Sequence, residues 1–196
     1  KHSFLTPKMV NKLLIQNNDS LQNKAKSVID LYTIENQVSK NPYVEEANVF
    51  LTIEGELKSI IKQRDPIARI ISGEQSYYID KQAVKVPLSS GYSARVLLVS
   101  GVKKQQDIKH IMPLLLKIEE DNFLKKEVIG IQKTNDNEYQ LSVRSGQYKI
   151  NLGKLSDIDL KFKKLKAFYN SVYTNKSMQN YKMINLKYHN QVVCEK

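Results

Sequence analysis

Three histidines, one cysteine and a few runs of carboxylates are the residues of this 196-residue chain most suited to chemistry. Their spacing assembles no reaction centre. His2, His110 and His189 lie far apart, and no HExxH pair sets two imidazoles on one helix face. No GxGxxG, Walker A or GxSxG sequence occurs, so a glycine cradle for phosphate and a nucleophile elbow both lack their residues. Cys194 stands near His189 in sequence, but a thiol nucleophile also needs an electropositive setting and a third, orienting group. Within Val192-Val193-Cys194 it reads as a small strand residue. Glu45-Glu46 and Glu119-Glu120-Asp121 read as solvated surface, not as an acid/base pair. The expectation is a chain with no catalytic residue, no metal site and no cofactor. A single cysteine also excludes an internal disulfide framework and a Cys-rich zinc site, and it leaves the redox compartment open.

Charge carries more information. Lys and Arg number 31 against 20 acids, a net +11, and residues 161–196 hold eight lysines against the one acid Glu195. A basic end implies an acidic partner (nucleic acid, an anionic membrane face or an acidic protein surface) or else a solvated helix face. A basic nucleic-acid-binding domain could use Phe162, Phe168, Tyr169, Tyr173, Tyr181 and Tyr188 as a stacking platform. RNP-type and zinc-finger signatures are absent, and half of these aromatics fall at spacings suited to a core, which favours the core reading. No window approaches a membrane-spanning apolar run and no signal peptide is visible. The start at Lys1 leaves room for an anchor upstream.

The elements that would position these residues are legible from periodicity. Thr6 caps and Pro7 opens a helix over 6–16, with Met9, Val10, Leu13 and Leu14 on one face. Gln16–Lys26 is polar and reads as loop. Asp30 caps a second helix that carries Leu31, Ile34 and Val38 and stops at Asn41-Pro42. Alternation through Ala47, Val49, Leu51 and Ile53, then Glu54-Gly55, then Leu57, Ile60 and Ile61, predicts a β-hairpin. Ile67–Ser72, Tyr77–Ile79 and Ala94–Val99 follow as strands. A helix over Gln105–Glu119 is expected to be kinked or delayed by Pro113. Val128–Lys133, Glu138–Arg144 and Tyr148–Leu152 are strands, Asp157 caps a helix from Ile158 to Tyr173, and Met183–Tyr188 and Gln191–Cys194 close the chain. These elements predict an α+β fold. A small helix-and-sheet domain covers 1–72, and a β-rich domain with helices packed on an antiparallel-type sheet covers 73–196. No Gly/Pro/Ser-rich linker separates them, which predicts that they abut.

Three stretches resemble the FtsQ/DivIB bacterial cell-division family. The first is Asn41–Ile70, with Pro42-Tyr43-Val44, the hairpin, and Arg64-Asp65-Pro66-Ile67-Ala68. The second is Tyr77–Asp80 with Val86–Ser90. The third is Ile150–Asn170 followed by Met183–Lys196, where Asn185-Leu186-Lys187-Tyr188 matches the family's closing strand. The order holds over nearly the whole chain. One departure is Asp80-Lys81-Gln82-Ala83, where the family has Asp-x-x-Gly. The opening strand of the family's first domain is not found either.

The resemblance implies a POTRA domain followed by the family's β domain, in a single-pass inner-membrane protein with this portion periplasmic. It implies a non-enzymatic divisome scaffold that holds FtsB and FtsL and helps recruit septal peptidoglycan synthesis. Other septal proteins would dock through the POTRA domain, and no nucleic acid is expected. The far end of the β domain would receive FtsB. A POTRA-bearing chaperone-like module of outer-membrane assembly or secretion is the related alternative. A closing strand at a sheet edge supplies the physical means, since its unpaired N–H and C=O groups can accept a partner strand. The expected contact residues are Leu186, Lys187, Tyr188, His189, Asn190, Gln191, Val192, Val193, Cys194 and Glu195. Tyr188 would be the aromatic anchor. Lys182, Lys187 and the helix lysines would attract acidic residues of the partner.

Overall fold

The computed structural model describes residues 4–15, 29–173 and 181–196, with the side chains of Ile15 and Tyr173 left aside. The expected loop Gln16–Lys26, His2 and Lys176 lie outside the described residues. The chain forms two compact units. One comprises Lys1–Asp65 with Lys85–Ala94, the other Pro66–Val84 with Arg95–Lys196.

In the first unit, helices α1 (Pro7–Ile15) and α2 (Leu31–Ser39) accompany the antiparallel hairpin β1 (Val44–Leu51) and β2 (Leu57–Gln63). Both predicted caps form. Thr6 Oγ1 accepts from Met9 N at 3.3 Å, and Asp30 Oδ1 accepts from Thr33 N at 3.0 Å. The Thr33 hydroxyl and N–H together hold the Asp30 carboxyl below its usual range. Period-two alternation points Ala47 and Val49 inward, and an irregularity between Val44 and Glu46 brings Val44 to the same side, where they meet Ile34 and Val38 of α2 with Leu5 and Leu14. Gly55, at φ 91, closes the turn by donating to Thr52 O at 3.0 Å. Leu5 N donates to Gln63 Oε1 and Gln63 Nε2 donates to Leu5 O, both at 3.0 Å. One side-chain amide thus gives Leu5 the donor and acceptor that a strand backbone would supply.

The second unit is built on β3 (Pro66–Ser72), β4 (Gln75–Asp80), a later β6 (Leu97–Ser100), β7 (Val128–Lys133), β8 (Tyr139–Val143), β9 (Lys149–Gly153), β10 (Met183–Asn185) and β11 (Val193–Glu195). The two-residue strand β5 (Lys85–Val86) precedes β6 in the chain. The spatial order runs β11-β10-β9-β8-β7-β6-β3-β4. Helices α3 (Gln105–Glu120) and α4 (Asn122–Glu127) link β6 to β7, and α5 (Ile158–Tyr173) lies between β9 and β10. The sheet is mixed. It is parallel at β6–β7 and β9–β10, where a helix intervenes, and antiparallel where short turns join neighbours, as at β7–β8 and β8–β9.

The sequence placed the domain break after Ser72. The structural units part at Asp65/Pro66 instead, because β3 bonds to β4 and β6 within the second sheet, and pairing outranks proximity to the hairpin. Lys85–Ala94 likewise counts with the first unit. Helix α3 is continuous through Pro113. Ala83 stands where the family has glycine, and it adopts φ 61, the left-handed conformation that glycine favours. Asp80 Oδ1 sustains that turn by accepting from Gln82 N at 3.0 Å and Val84 N at 2.8 Å.

Register explains the two faces. Ile70, Val99, Ile131, Leu141, Ile150, Ile184 and Cys194 align strand by strand on one face. They share a core with Ile108, Ile111, Leu115 and Ile118 of α3 and with Phe162 and Leu165 of α5. The intervening row, Ser100, Gln132, Gln140, Asn151 and Asn185, is polar. Alternation of this kind marks a sheet covered by helices on one side.

A half-buried ion pair ties α3 to this sheet. Asp107 accepts from Lys133 Nζ at 2.6 Å and from the N–H groups of Lys103 and Lys104 at 3.1 and 3.0 Å. The Lys133 ammonium, with those N–H groups, lowers the Asp107 carboxyl to about 2. A depressed folded-state value contributes stability above the unfolded value near 3.8, and that contribution is lost as pH falls from there toward 2. Asp107→Asn is expected to cost about 2 kcal/mol at pH 7 and much less at pH 2.5. Denaturant titrations of both proteins at the two pH values check this; an equal difference at both would contradict it.

Candidate partner-binding edge

Among the described residues β11 is the outermost strand of its sheet. It pairs antiparallel with β10 through Met183↔Glu195, Ile184↔Cys194 and Asn185↔Val193, and β10 pairs in parallel with β9. No described strand pairs with its far side, which therefore presents alternate N–H and C=O groups for pairing. The strand is short and ends on the charged Glu195, a form that limits indiscriminate pairing between edges.

The residues expected to meet a partner divide by burial. Leu186 is fully buried at 0% exposure, and its N–H donates to Asn151 O at 2.9 Å, so it anchors the hairpin from within. Tyr188 is 49% exposed, with its neighbours His189, Asn190 and Gln191 exposed in the connection between the strands. Val192, Val193 and Cys194 are half-buried and Glu195 is exposed. Cys194 extends the core row, and Val193 and Glu195 point to the polar face. Burial pushes the Cys194 thiol upward, the opposite of what an activated nucleophile requires.

The lysines were expected to face a partner, and several of them have partners within the chain. Lys187 Nζ reaches Glu138 at 3.1 Å, and its stem passes over Gly153. A Cβ on that glycine would stand 2.7 Å from Lys187 Cγ. On α5, Lys161 is 6% exposed and donates to Lys154 O at 2.7 Å; burial lowers the pKa of its ammonium. Lys166 pairs with Asp121. Lys164 donates to Leu186 O at 3.3 Å and to Tyr188 O. Lys163 and Lys182 remain exposed. Sequence reasoning treated the helix lysines as one basic face and missed that Lys164 holds the connection leading to the edge strand. Only the distance from α5 to the end of β10, absent from the linear sequence, could reveal it.

No group of three or more His, Cys, Asp or Glu able to hold a metal ion occurs among the described residues. No helix among them is long and apolar enough to cross a membrane.

The profile of the family described as FtsQ/DivIB, C-terminal related, matches residues 65–195, more than half of the chain. The chain belongs to that family. A POTRA-like domain profile matches residues 1–62, which include the helices of the first unit and its hairpin up to Lys62. No curated protein matches the chain. The FtsQ/DivIB family is one of non-enzymatic cell-division scaffolds whose members act through protein–protein contacts in the divisome. Its folded portion is typically the periplasmic part of a membrane-anchored protein.

Proposed function

We propose that this chain is the periplasmic part of a single-pass inner-membrane divisome scaffold. It binds extracytoplasmic segments of FtsB and FtsL type by strand addition at β11 and thereby helps recruit septal peptidoglycan synthesis. The observation that supports this reading is the position of β11 at the sheet edge, with Tyr188 exposed in the connection that precedes it. A segment laid along β11 gains main-chain hydrogen bonds, and Tyr188 offers an amphipathic ring that contributes area at low entropic cost. Residues Lys187–Glu195 form the contact, with Leu186 supporting it from the core. The POTRA-like unit is left to receive other septal proteins.

Titration of the chain with an FtsB-type extracytoplasmic segment tests the proposal. Tyr188→Ala is expected to weaken that binding about tenfold. Its melting temperature should change by less than about 2 °C, since the side chain is half exposed. Absence of binding by the unaltered chain would overturn the partner assignment.

A further inference from the structure

The hairpin that carries the edge strand has a short ladder between its two strands. Its ladder joins only Met183–Asn185 to Val193–Glu195, and the intervening Leu186–Val192 has no regular structure. Short ladders closed by irregular loops are poorly stable alone. A template for strand addition has to hold one conformation before the partner arrives, or the cost of ordering it reduces affinity.

Lys164 meets this need from the neighbouring helix. It is half-buried on α5, and its ammonium donates to the carbonyls of Leu186 and Tyr188, the first at 3.3 Å. Those two carbonyls bracket Lys187, whose own Nζ reaches Glu138 and whose N–H donates to Asn185 Oδ1 at 3.0 Å. The chain leaving β10 is thus held at consecutive residues by three side chains from elsewhere or from the strand end. A charged donor on a backbone carbonyl is stronger than a neutral one, and more so away from bulk water.

We propose that Lys164 is a positioning residue for the edge strand. It fixes the path of the chain after β10 and so sets β11 in the conformation that accepts a partner. The inference rests on the reading of β11 as the receiving edge.

Three variants test it. Lys164→Met keeps the stem and removes the donors, Lys164→Arg keeps donors, and Lys163→Met removes an exposed charge from the same helix. Hydrogen exchange on the free chain is read first. In Lys164→Met, amides of Leu186–Glu195 should exchange at least about tenfold faster, with those of β7, β8 and β9 unchanged. Lys164→Arg should restore much of the protection, and Lys163→Met should match the unaltered chain. Titration with the FtsB-type segment should then show about a tenfold loss for Lys164→Met and partial recovery for Lys164→Arg. Unchanged exchange at β11 would overturn the proposal. So would an equal loss of protection across the whole unit, or an arginine variant as exposed as the methionine one. If the unaltered chain binds no segment, the partner reading fails, and the exchange result still decides whether Lys164 positions the strand.

Discussion

A chain ending at Asn190 is expected to lose affinity for an FtsB-type segment by at least about a hundredfold, with its fold retained. Removing Gln191–Lys196 deletes the whole of β11 and exposes β10 as the new edge. A partner strand then loses the backbone it would have paired with, and about two main-chain bonds at about 1 kcal/mol each, together with the side-chain contacts along β11, correspond to that hundredfold. The cost to the fold is small because Val193 and Cys194 are half-buried and Glu195 is exposed, and the core row still ends on Ile184 at 0% exposure. The melting temperature should fall by only a few degrees. Circular dichroism establishes the fold and calorimetric titration reads the affinity. A folded, shortened chain that binds as well as the full one would show that the partner seats elsewhere.

Gly101→Ala is expected to destabilise the second unit by about 3 kcal/mol or more. Gly101 follows β6 at φ 78, where an L side chain costs about 1 kcal/mol before any contact is counted. A Cβ there would also stand 2.0 Å from Lys133 O and 2.9 Å from Lys133 C, so the backbone at the end of β7 has to move. That backbone carries Lys133, whose ammonium pairs with Asp107 at the start of α3, so strain in one strand end reaches the helix. A fall of about 6–12 °C in melting temperature follows for a unit of this size. Gly73→Ala is the comparison. It also has positive φ, at 58, but a Cβ there meets nothing within 4 Å, and the cost should stay near 1 kcal/mol. Equal melting temperatures for the two variants would remove the steric part of the argument.

Much of the fold was readable because local chemistry and tertiary context agree. The Asp30 cap and the Thr52–Gly55 turn each satisfy their own backbone groups within a few residues. The edge strand was readable as a strand from its β-branched run Val192-Val193, and its place at the edge comes from the sheet order. The extent of the strand beside it was less clear. The sequence suggested Met183–Tyr188, whereas β10 stops at Asn185, after which Lys164 and the Asn185 side chain take the backbone partners that a ladder would have used.

What the sequence determined by itself was the presence and order of the elements, the lack of assembled catalytic motifs, and the family pattern that spans both units. These depend on periodicity, capping and spacing, which act over a few residues at a time. The tertiary structure alone decided that Pro66–Ser72 joins the second sheet and that Leu186 is core. It also decided that Lys161, Lys164, Lys166 and Lys187 have partners within the chain. A lysine on a helix has the same local signature whether it meets water, an acidic partner or a carbonyl of a strand far along the chain. Only packing brings that carbonyl within reach, and so only the fold separates charge that holds the hairpin from charge left for a partner.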